Sequence, residues 1–235
     1  MTFDDRFIGG WHSARDIFKR YNVRATFFLC WPERMTNREW RMLGQLRDDG
    51  HEIGCHTMTH TRLPKFLLDK TLEDYLTQEI DPWIDFMRTK GFEATSFSYP
   101  YYKYHPDLHQ QLLERFKILR VSGPIPDYAA HLVPKGGANI VHTFCSSDMT
   151  GQELPLRHFS DRFDMLKRHG GIGITCGHAV GSKIPKNPTM RCSLDDLETI
   201  VAFAAAYGFD FRTLTEIAPA ESAAPPLSNT KEWAA

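Results

Sequence analysis

Residues 25–30 read Ala-Thr-Phe-Phe-Leu-Cys, an unbroken apolar run with the length of one β-strand. Because polar and apolar side chains do not alternate in this run, the pattern predicts a strand that is buried on both faces. Other short strand-like segments recur along the chain at 51–55, 94–98, 117–122, 139–144, 171–176 and 209–213. Strands of this kind are typical of a parallel sheet that is covered by helices.

Helical signals separate these strands. Thr36 and Glu39 have the spacing of a capping box ahead of an apolar face, and Gly50 is typical of a helix end. Residues 69–90 predict a long helix that Pro82 kinks or splits. The alternation predicts an α/β fold, a distorted (β/α) barrel with fewer than eight regular strands. A doubly wound open sheet is the main alternative.

The two ends of the chain differ from the rest. Only three residues precede the acidic pair Asp4-Asp5, so we expect a truncated first strand. Residues 219–235 are rich in proline and alanine and predict a tail outside the folded domain, which spans residues 1–218.

Composition excludes several classes of protein. The 28 basic and 29 acidic residues leave a net charge of −1, which argues against a nucleic-acid partner. No apolar stretch reaches the length that spans a bilayer, and no basic-then-apolar leader begins the sequence. Five scattered cysteines form no CxxC pair and indicate buried thiols rather than a disulfide framework. We therefore expect a cytoplasmic protein without a membrane span.

Polar and aromatic residues follow the ends of five predicted strands. They are Asp4 and Asp5, His56, Tyr101, Asp148 and His178. In parallel α/β folds, ligands and catalytic groups gather beyond the carboxyl ends of the strands. We therefore expect these residues to form one site.

One carboxylate and two imidazoles are enough for an open metal site. Asp5, His56 and His60 supply this set, which suits Zn²⁺ or a similar divalent ion such as Co²⁺ or Ni²⁺. A water in the fourth position becomes a nucleophile at neutral pH. Asp4 is then a candidate general base, and His178 is a candidate general acid.

Four motifs in this order resemble the NodB-type polysaccharide deacetylases, which form carbohydrate esterase family 4. They are Thr-Phe-Asp-Asp at 2–5, His-Thr-Met-Thr-His at 56–60, Phe-Ser-Tyr-Pro-Tyr at 97–101 and Cys-Gly-His at 176–178.

The resemblance implies a distorted (β/α) barrel in which residues 1–218 form a metal-dependent deacetylase domain. It assigns Asp4 as the base and His178 as the acid, with metal-bound water attacking the acetyl group. Asp5, His56 and His60 are implied as metal ligands. The resemblance further implies that Tyr101 offers its backbone N–H to the oxyanion, and Asp148 is a candidate for orienting His178.

The chain also departs from the family pattern. Ser98 stands where the family has an arginine that pairs with the catalytic aspartate. Without a cation nearby, we expect Asp4 to be a better proton acceptor but less firmly oriented. The usual glycine is replaced by Tyr102, and the usual leucine by Cys176. A further family motif, an aspartate followed by tryptophan, is degenerate here, because Met149 follows Asp148.

Three functions remain open at this point. The first is the removal of acetyl groups from an N-acetylated or O-acetylated carbohydrate. The second is the hydrolysis of another amide, such as a ureide or a cyclic imide. The third is non-catalytic carbohydrate binding on the same scaffold. The ring of Tyr101 is a candidate sugar platform, and Trp31 either lines the same cleft or packs in the core.

Overall fold

The computed structural model describes residues 1–122, 128–146, 148, 156–181 and 190–219. Eight parallel strands form its main sheet, in the order β6-β5-β4-β3-β2-β1-β8-β7. They are β1 (Thr2–Asp5), β2 (Thr26–Leu29), β3 (Glu52–Cys55), β4 (Ser96–Ser98), β5 (Ile118–Ser122), β6 (Ile140–His142), β7 (Cys145–Ser146) and β8 (Thr175–Gly177). Two short strands, β9 (Ala179–Val180) and β10 (Arg191–Cys192), form a separate parallel pair.

One extended stretch of chain joins the two edges of this sheet. β6 pairs with β5 at one edge, and β7 pairs with β8 at the other. Between them, the Thr143 N–H donates to the Ser122 carbonyl and the Phe144 N–H donates to the Ile174 carbonyl. The eight strands therefore come from seven chain segments, and the sheet curls into the predicted distorted barrel.

The first strand lies at the centre of the sheet. β1 pairs with β2 on one side and with β8 on the other. It has four residues, as many as β2 and β3, because Asp4 and Asp5 are themselves strand residues. The expected truncation therefore does not make β1 shorter than its neighbour β2, and the acidic pair is built into the sheet.

Helices cover the outside of the barrel. They are α1 (Ile8–Ser13), α2 (Arg15–Arg20), α3 (Asn37–Asp48), α4 (Leu63–Phe66), α5 (Leu72–Tyr75), α6 (Asp81–Thr89), α7 (His109–Leu113), α8 (Leu156–His169), α9 (Leu194–Ala206) and α10 (Leu214–Ile217). The capping box of Thr36 and Glu39 is present at the start of α3. No helix in the described part of the chain is both long and apolar enough to cross a membrane.

The predicted break in the long helix at 69–90 is confirmed. A π-helical turn, Leu76–Ile80, separates α5 from α6, and the Asp81 N–H donates to the Leu76 carbonyl. Pro82, in the first turn of α6, has no N–H to continue the regular α-helical pattern. The wider turn is thus a local consequence of the proline, and π-turns of this kind are frequent at functional sites.

Aromatic packing between the sheet and the helices connects the core to the barrel rim. The rings of Phe3 and Trp11 both stack on Phe27, at centroid distances of 5.5 and 4.9 Å. The indole N–H of the buried Trp11 donates to the His178 carbonyl at 2.8 Å. Burial of these large rings therefore also fixes the backbone at the end of β8.

The predicted strand at 209–213 is wrong. These residues pair with no strand, because both sides of β1 are occupied and the segment Ile140–Ser146 already joins the sheet edges. They lead instead into α10, where the Leu214 N–H donates to Thr26 Oγ1 at 2.9 Å. The Thr215 hydroxyl donates to Glu52 at 2.7 Å. α10 therefore closes the amino-terminal end of the barrel. Of the predicted tail, only Pro219 lies within the described residues.

Candidate active site

The residues predicted to form one site do converge at the carboxyl ends of the strands. Asp4 and Asp5 end β1, His56 follows β3, and His178 follows β8. β1 and β8 are neighbours, with Phe3 opposite Gly177. Nitrogen or oxygen atoms of Asp5, His56 and His60 all lie within 4.8 Å of one another. The structure thus brings together the three side chains that the sequence predicts as metal ligands.

The spacing of these three side chains suits a small cation. His60 Nε2 lies 3.0 Å from Asp5 Oδ1, and His56 Nε2 lies 3.6 Å from the same oxygen. Ligand atoms at tetrahedral angles and about 2.0–2.1 Å from a zinc ion are roughly 3.3 Å apart. Asp5 Oδ1 is buried and accepts no hydrogen bond within the described residues. Its lone pairs and the two imidazole nitrogens therefore point at a common space, and the donor set fits a divalent ion.

The protonation states also suit metal binding. Burial lowers the pKa of His56 to about 4, so its imidazole is neutral at physiological pH. Its Nδ1–H donates to the Ser98 carbonyl at 2.8 Å, which leaves Nε2 for a ligand bond. Burial alone would raise the pKa of Asp5, but the nearby imidazoles of His60 and His56 hold that pKa below its usual value. Asp5 is therefore a carboxylate.

A cation does lie beside Asp4, contrary to the prediction from Ser98. Arg120 on β5 forms an ion pair with Asp4 through Nη2, and both side chains are buried. Burial alone would raise the pKa of Asp4, but the charge of Arg120 holds it below its usual value. The prediction that no cation lies near Asp4 was wrong. The cation is on β5, the strand next to β4, where Arg120 is paired with Ser98.

The two terminal nitrogens of the Arg120 guanidinium are held by hydrogen bonds, and its faces lie against aromatic rings. Its Nη2 also donates to Ser98 Oγ at 2.5 Å, and its Nη1 donates to Thr143 Oγ1 at 3.2 Å. The rings of Phe28 and Tyr102 lie 5.2 and 5.4 Å from its central carbon. Asp4 is therefore firmly oriented, because its partner has little freedom to move.

Two replaced family positions line the same pocket. Cys176 Sγ lies 3.5 Å from Asp4 Oδ2, and burial raises the pKa of its thiol, which stays protonated. Tyr102 is the residue that covers Arg120. All five cysteines are free and buried, as predicted. The small side chain of Ser98 thus leaves space for the Arg120 guanidinium from β5, and the large ring of Tyr102 covers it.

His178 and Asp148 form a second pair at the rim. Asp148 accepts hydrogen bonds from the His178 backbone N–H at 2.8 Å and from its Nδ1 at 2.5 Å. Burial alone would lower the pKa of His178, but Asp148 and the carboxylates of Asp4 and Asp5 raise it to about 8. His178 is therefore mostly protonated at neutral pH and oriented by Asp148.

Two aromatic rings flank His60. The Trp31 ring lies 5.1 Å and the Tyr101 ring 4.6 Å from the imidazole, measured between centroids. Tyr101 is 54% exposed, whereas Trp31 is half-buried. Of the two, Tyr101 is the more exposed to solvent, while Trp31 packs against the loop that carries His60.

The backbone at this site is unusual. Seven residues other than glycine have a positive φ in the described part of the chain, and Asn22 is the only one outside the site. The other six are Asp5, Trp31, Thr57, His60, Tyr101 and Tyr102. Left-handed conformations of non-glycine residues persist where the surrounding structure holds them, and they cluster at functional sites.

Sequence reasoning missed Arg120. The signal was present, since residues 118–122 read Ile-Leu-Arg-Val-Ser, with a charged residue in the middle of an otherwise apolar strand. A buried charge requires a partner. The identity of that partner, Asp4, depends on the curvature of the barrel and is not contained in the local sequence.

Comparisons with known proteins agree with the fold. The family model described as polysaccharide deacetylase matches residues 1–116. No curated protein matches the chain by sequence. Peptidoglycan deacetylase PdaC from Bacillus subtilis is similar in structure, with 17% identity, a TM-score of 0.57, and coverage of 92% of this chain and 87% of that one.

Two further structures are similar. The Xyl-CE4 domain of a multidomain xylanase, from the hindgut metagenome of Trinervitermes trinervoides, has 17% identity and a TM-score of 0.57, covering 92% of this chain and 86% of that one. A CE4 family pseudoenzyme from Bacillus anthracis has 15% identity and a TM-score of 0.57, covering 92% and 63%. In its motifs, in the match over residues 1–116 and in its fold, the chain is similar to the polysaccharide deacetylases.

Proposed function

We propose that the protein is a metal-dependent hydrolase that removes acetyl groups from an N-acetylated or O-acetylated carbohydrate. The observation that carries this proposal is the placement of an ionised, firmly held Asp4 beside the Asp5, His56 and His60 cluster, with a protonated His178 nearby. This arrangement supplies a base, a cation site and an acid within one pocket.

Asp5, His56 and His60 are the residues that would hold the metal. Two neutral imidazoles and one carboxylate favour Zn²⁺, and they also accept Co²⁺ or Ni²⁺. When bound, such an ion supplies a nucleophile at neutral pH and a positive charge for the acyl oxygen.

The remaining groups divide the proton transfers between them. Asp4 accepts the proton of the attacking water, and Arg120 keeps the Asp4 carboxylate oriented for that transfer. His178 Nδ1 is bound to Asp148, so Nε2 is the atom that gives a proton to the leaving nitrogen or oxygen. The bond between the acyl carbon and that atom breaks, and acetate and the free amine or alcohol are released. Tyr101 contributes a backbone N–H to the acyl oxygen.

The exposed ring of Tyr101 suits a carbohydrate substrate. An aromatic face next to the metal-binding histidine gives the apolar face of a sugar a surface on which to lie. Trp31 extends this surface on the other side of His60.

A non-catalytic role is the less favoured reading, although one similar fold is that of a pseudoenzyme. A buried carboxylate paired with a buried arginine costs desolvation, and neither sugar binding nor metal binding requires the pair. A general base beside Asp5 does require it, because the base must stay ionised and oriented, and Arg120 does both for Asp4.

The test is acetate release by the purified protein. The metal is removed with a chelator, Zn²⁺ or Co²⁺ is added back, and acetylated oligosaccharides and a panel of ureides and cyclic imides are offered. We expect metal-dependent acetate release from at least one acetylated sugar. Hydrolysis of a ureide alone would replace the proposed substrate class, and silence on every substrate with metal bound would favour a binding role.

A further inference from the structure

A buried carboxylate holds the loop between the two candidate metal-binding histidines. Glu79 is 5% exposed and lies in the π-helical turn Leu76–Ile80. Its carboxylate accepts hydrogen bonds from the Thr59 N–H at 2.8 Å, from the Thr59 hydroxyl at 2.5 Å and from the Thr61 hydroxyl at 2.8 Å. Its backbone carbonyl accepts from the Met58 N–H at 2.9 Å. Glu79 therefore accepts four hydrogen bonds from three residues of the loop, Met58, Thr59 and Thr61.

The loop needs such support because its backbone is strained at both ends. Thr57 has a φ of 66° and His60 a φ of 56°, and neither is glycine. Residues in this region persist only where their surroundings hold them. The contacts of Glu79 fall between these two positions, on residues 58 and 59, and directly after the second, on residue 61.

The two histidines differ in how they are anchored. His56 directly follows β3, and its Nδ1 is bound to the Ser98 carbonyl on the next strand. The ring of His60 instead packs between Trp31 and Tyr101. The position of His60 Nε2 therefore depends on the loop, and the loop depends on Glu79.

The π-turn explains how Glu79 reaches the loop. The turn precedes Pro82 and is wider than an α-helical turn, and Tyr75, Leu76 and Ile80 of the same face are also buried. The helix break before Pro82 thus also places the Glu79 carboxylate against the loop between the two candidate metal-binding histidines.

We propose that Glu79 is a positioning residue for the candidate metal site, which it organises by fixing the loop that carries His60. This inference rests on the proposed function only in taking Asp5, His56 and His60 as the ligands. Partners that orient metal ligands from behind typically change metal affinity by about 10- to 100-fold when removed.

The test uses the full chain with Glu79→Ala and Glu79→Gln, and Glu73→Ala as the control on an exposed position of the same helical region. Zn²⁺ affinity is measured by competition with a chromogenic chelator. Hydrogen exchange of the amides of residues 57–61 is measured in the metal-free proteins.

For Glu79→Ala we expect a loss of about 10- to 100-fold in Zn²⁺ affinity and faster exchange of the Thr59 amide. Glu79→Gln should lie between Glu79→Ala and the wild type, because its amide oxygen still accepts from the Thr59 N–H. Glu73→Ala should match the wild type. If Glu79→Ala does not fold, Glu79→Gln and the double variant Thr59→Ala/Thr61→Ala carry the test, and both should bind Zn²⁺ more weakly.

The inference would be overturned if the Glu79 variants had the same Zn²⁺ affinity and the same amide exchange rates as the wild type. It would also be overturned if the wild-type protein bound no Zn²⁺. A wild-type protein that binds Zn²⁺ but releases no acetate would contradict the proposed function alone. Weaker Zn²⁺ binding by the Glu79 variants would then still support the positioning role.

Discussion

Arg120 on β5 and Asp4 on β1 form a buried ion pair, although β2, β3 and β4 lie between their strands in the sheet. The pair crosses the interior of the barrel. Ser98, opposite Arg120 on β4, is small enough to leave room for the guanidinium, and its Oγ accepts a hydrogen bond from Arg120 Nη2 at 2.5 Å. The arginine of the family's third motif is thus replaced in space by one from the next strand.

Removing Arg120 should impair both stability and turnover. For Arg120→Met we expect about 3–5 kcal/mol less stability in denaturant unfolding, because Asp4 is left buried without a partner. The value of kcat should fall about 10²-fold as Asp4 loses its orientation. Arg115→Met, which breaks the partly exposed ion pair with Asp81, is the control and should cost less than about 1 kcal/mol.

Moving the cation back to β4 should restore function. The double variant Ser98→Arg/Arg120→Ser carries the guanidinium on the residue that is paired with position 120. We expect kcat at least about tenfold above that of Arg120→Ser alone, with unchanged Zn²⁺ content. A folded, metal-loaded double variant that is no more active than Arg120→Ser would show that Asp4 does not depend on this charge.

Asp4 and Asp5 should separate catalysis from metal binding. Asp4→Asn should keep Zn²⁺ content near that of the wild type, while kcat falls about 10²- to 10⁴-fold with the loss of the base. Asp5→Asn is the matched control and should lose Zn²⁺. Elemental analysis and acetate release measure the two properties, and parallel loss of both in Asp4→Asn would mean that the roles are wrongly divided.

His60 should be required for metal occupancy. His60→Ala removes one of three ligands, so Zn²⁺ content measured by elemental analysis should fall well below that of the wild type. His105→Ala, at a partly exposed position, should leave the content unchanged. Full occupancy in His60→Ala would contradict the ligand set.

The activity should fall as the pH rises through about 8. The pKa of His178 is about 8 in the folded protein, so the protonated acid predominates below about pH 8 and is lost as the pH rises through that value. Asp148→Asn replaces the negative charge that helps to raise this pKa with a neutral amide, and the alkaline limb of the kcat profile should move to lower pH. An unmoved limb would assign it to another group.

The sequence by itself determined the class of fold and most of the candidate site. Asp5, His56, His60, Asp148 and His178 were predicted because each directly follows or lies near the end of an apolar strand, and parallel strands place such residues at one end of a barrel. The break at Pro82 was equally local, since a missing N–H acts on its own helix.

Tertiary structure decided the contacts between residues that no motif connects. The ion pair of Arg120 with Asp4 spans 116 positions, and Glu79 reaches Thr59 across 20 positions. The failed prediction of a strand at 209–213 has the same origin, because a segment with a strand-like sequence becomes a strand only where a sheet edge is open to it. The spacing of residues along the chain indicates which of them belong to the same helix or strand. Which buried charged side chains contact each other is decided only when the strands close into the barrel.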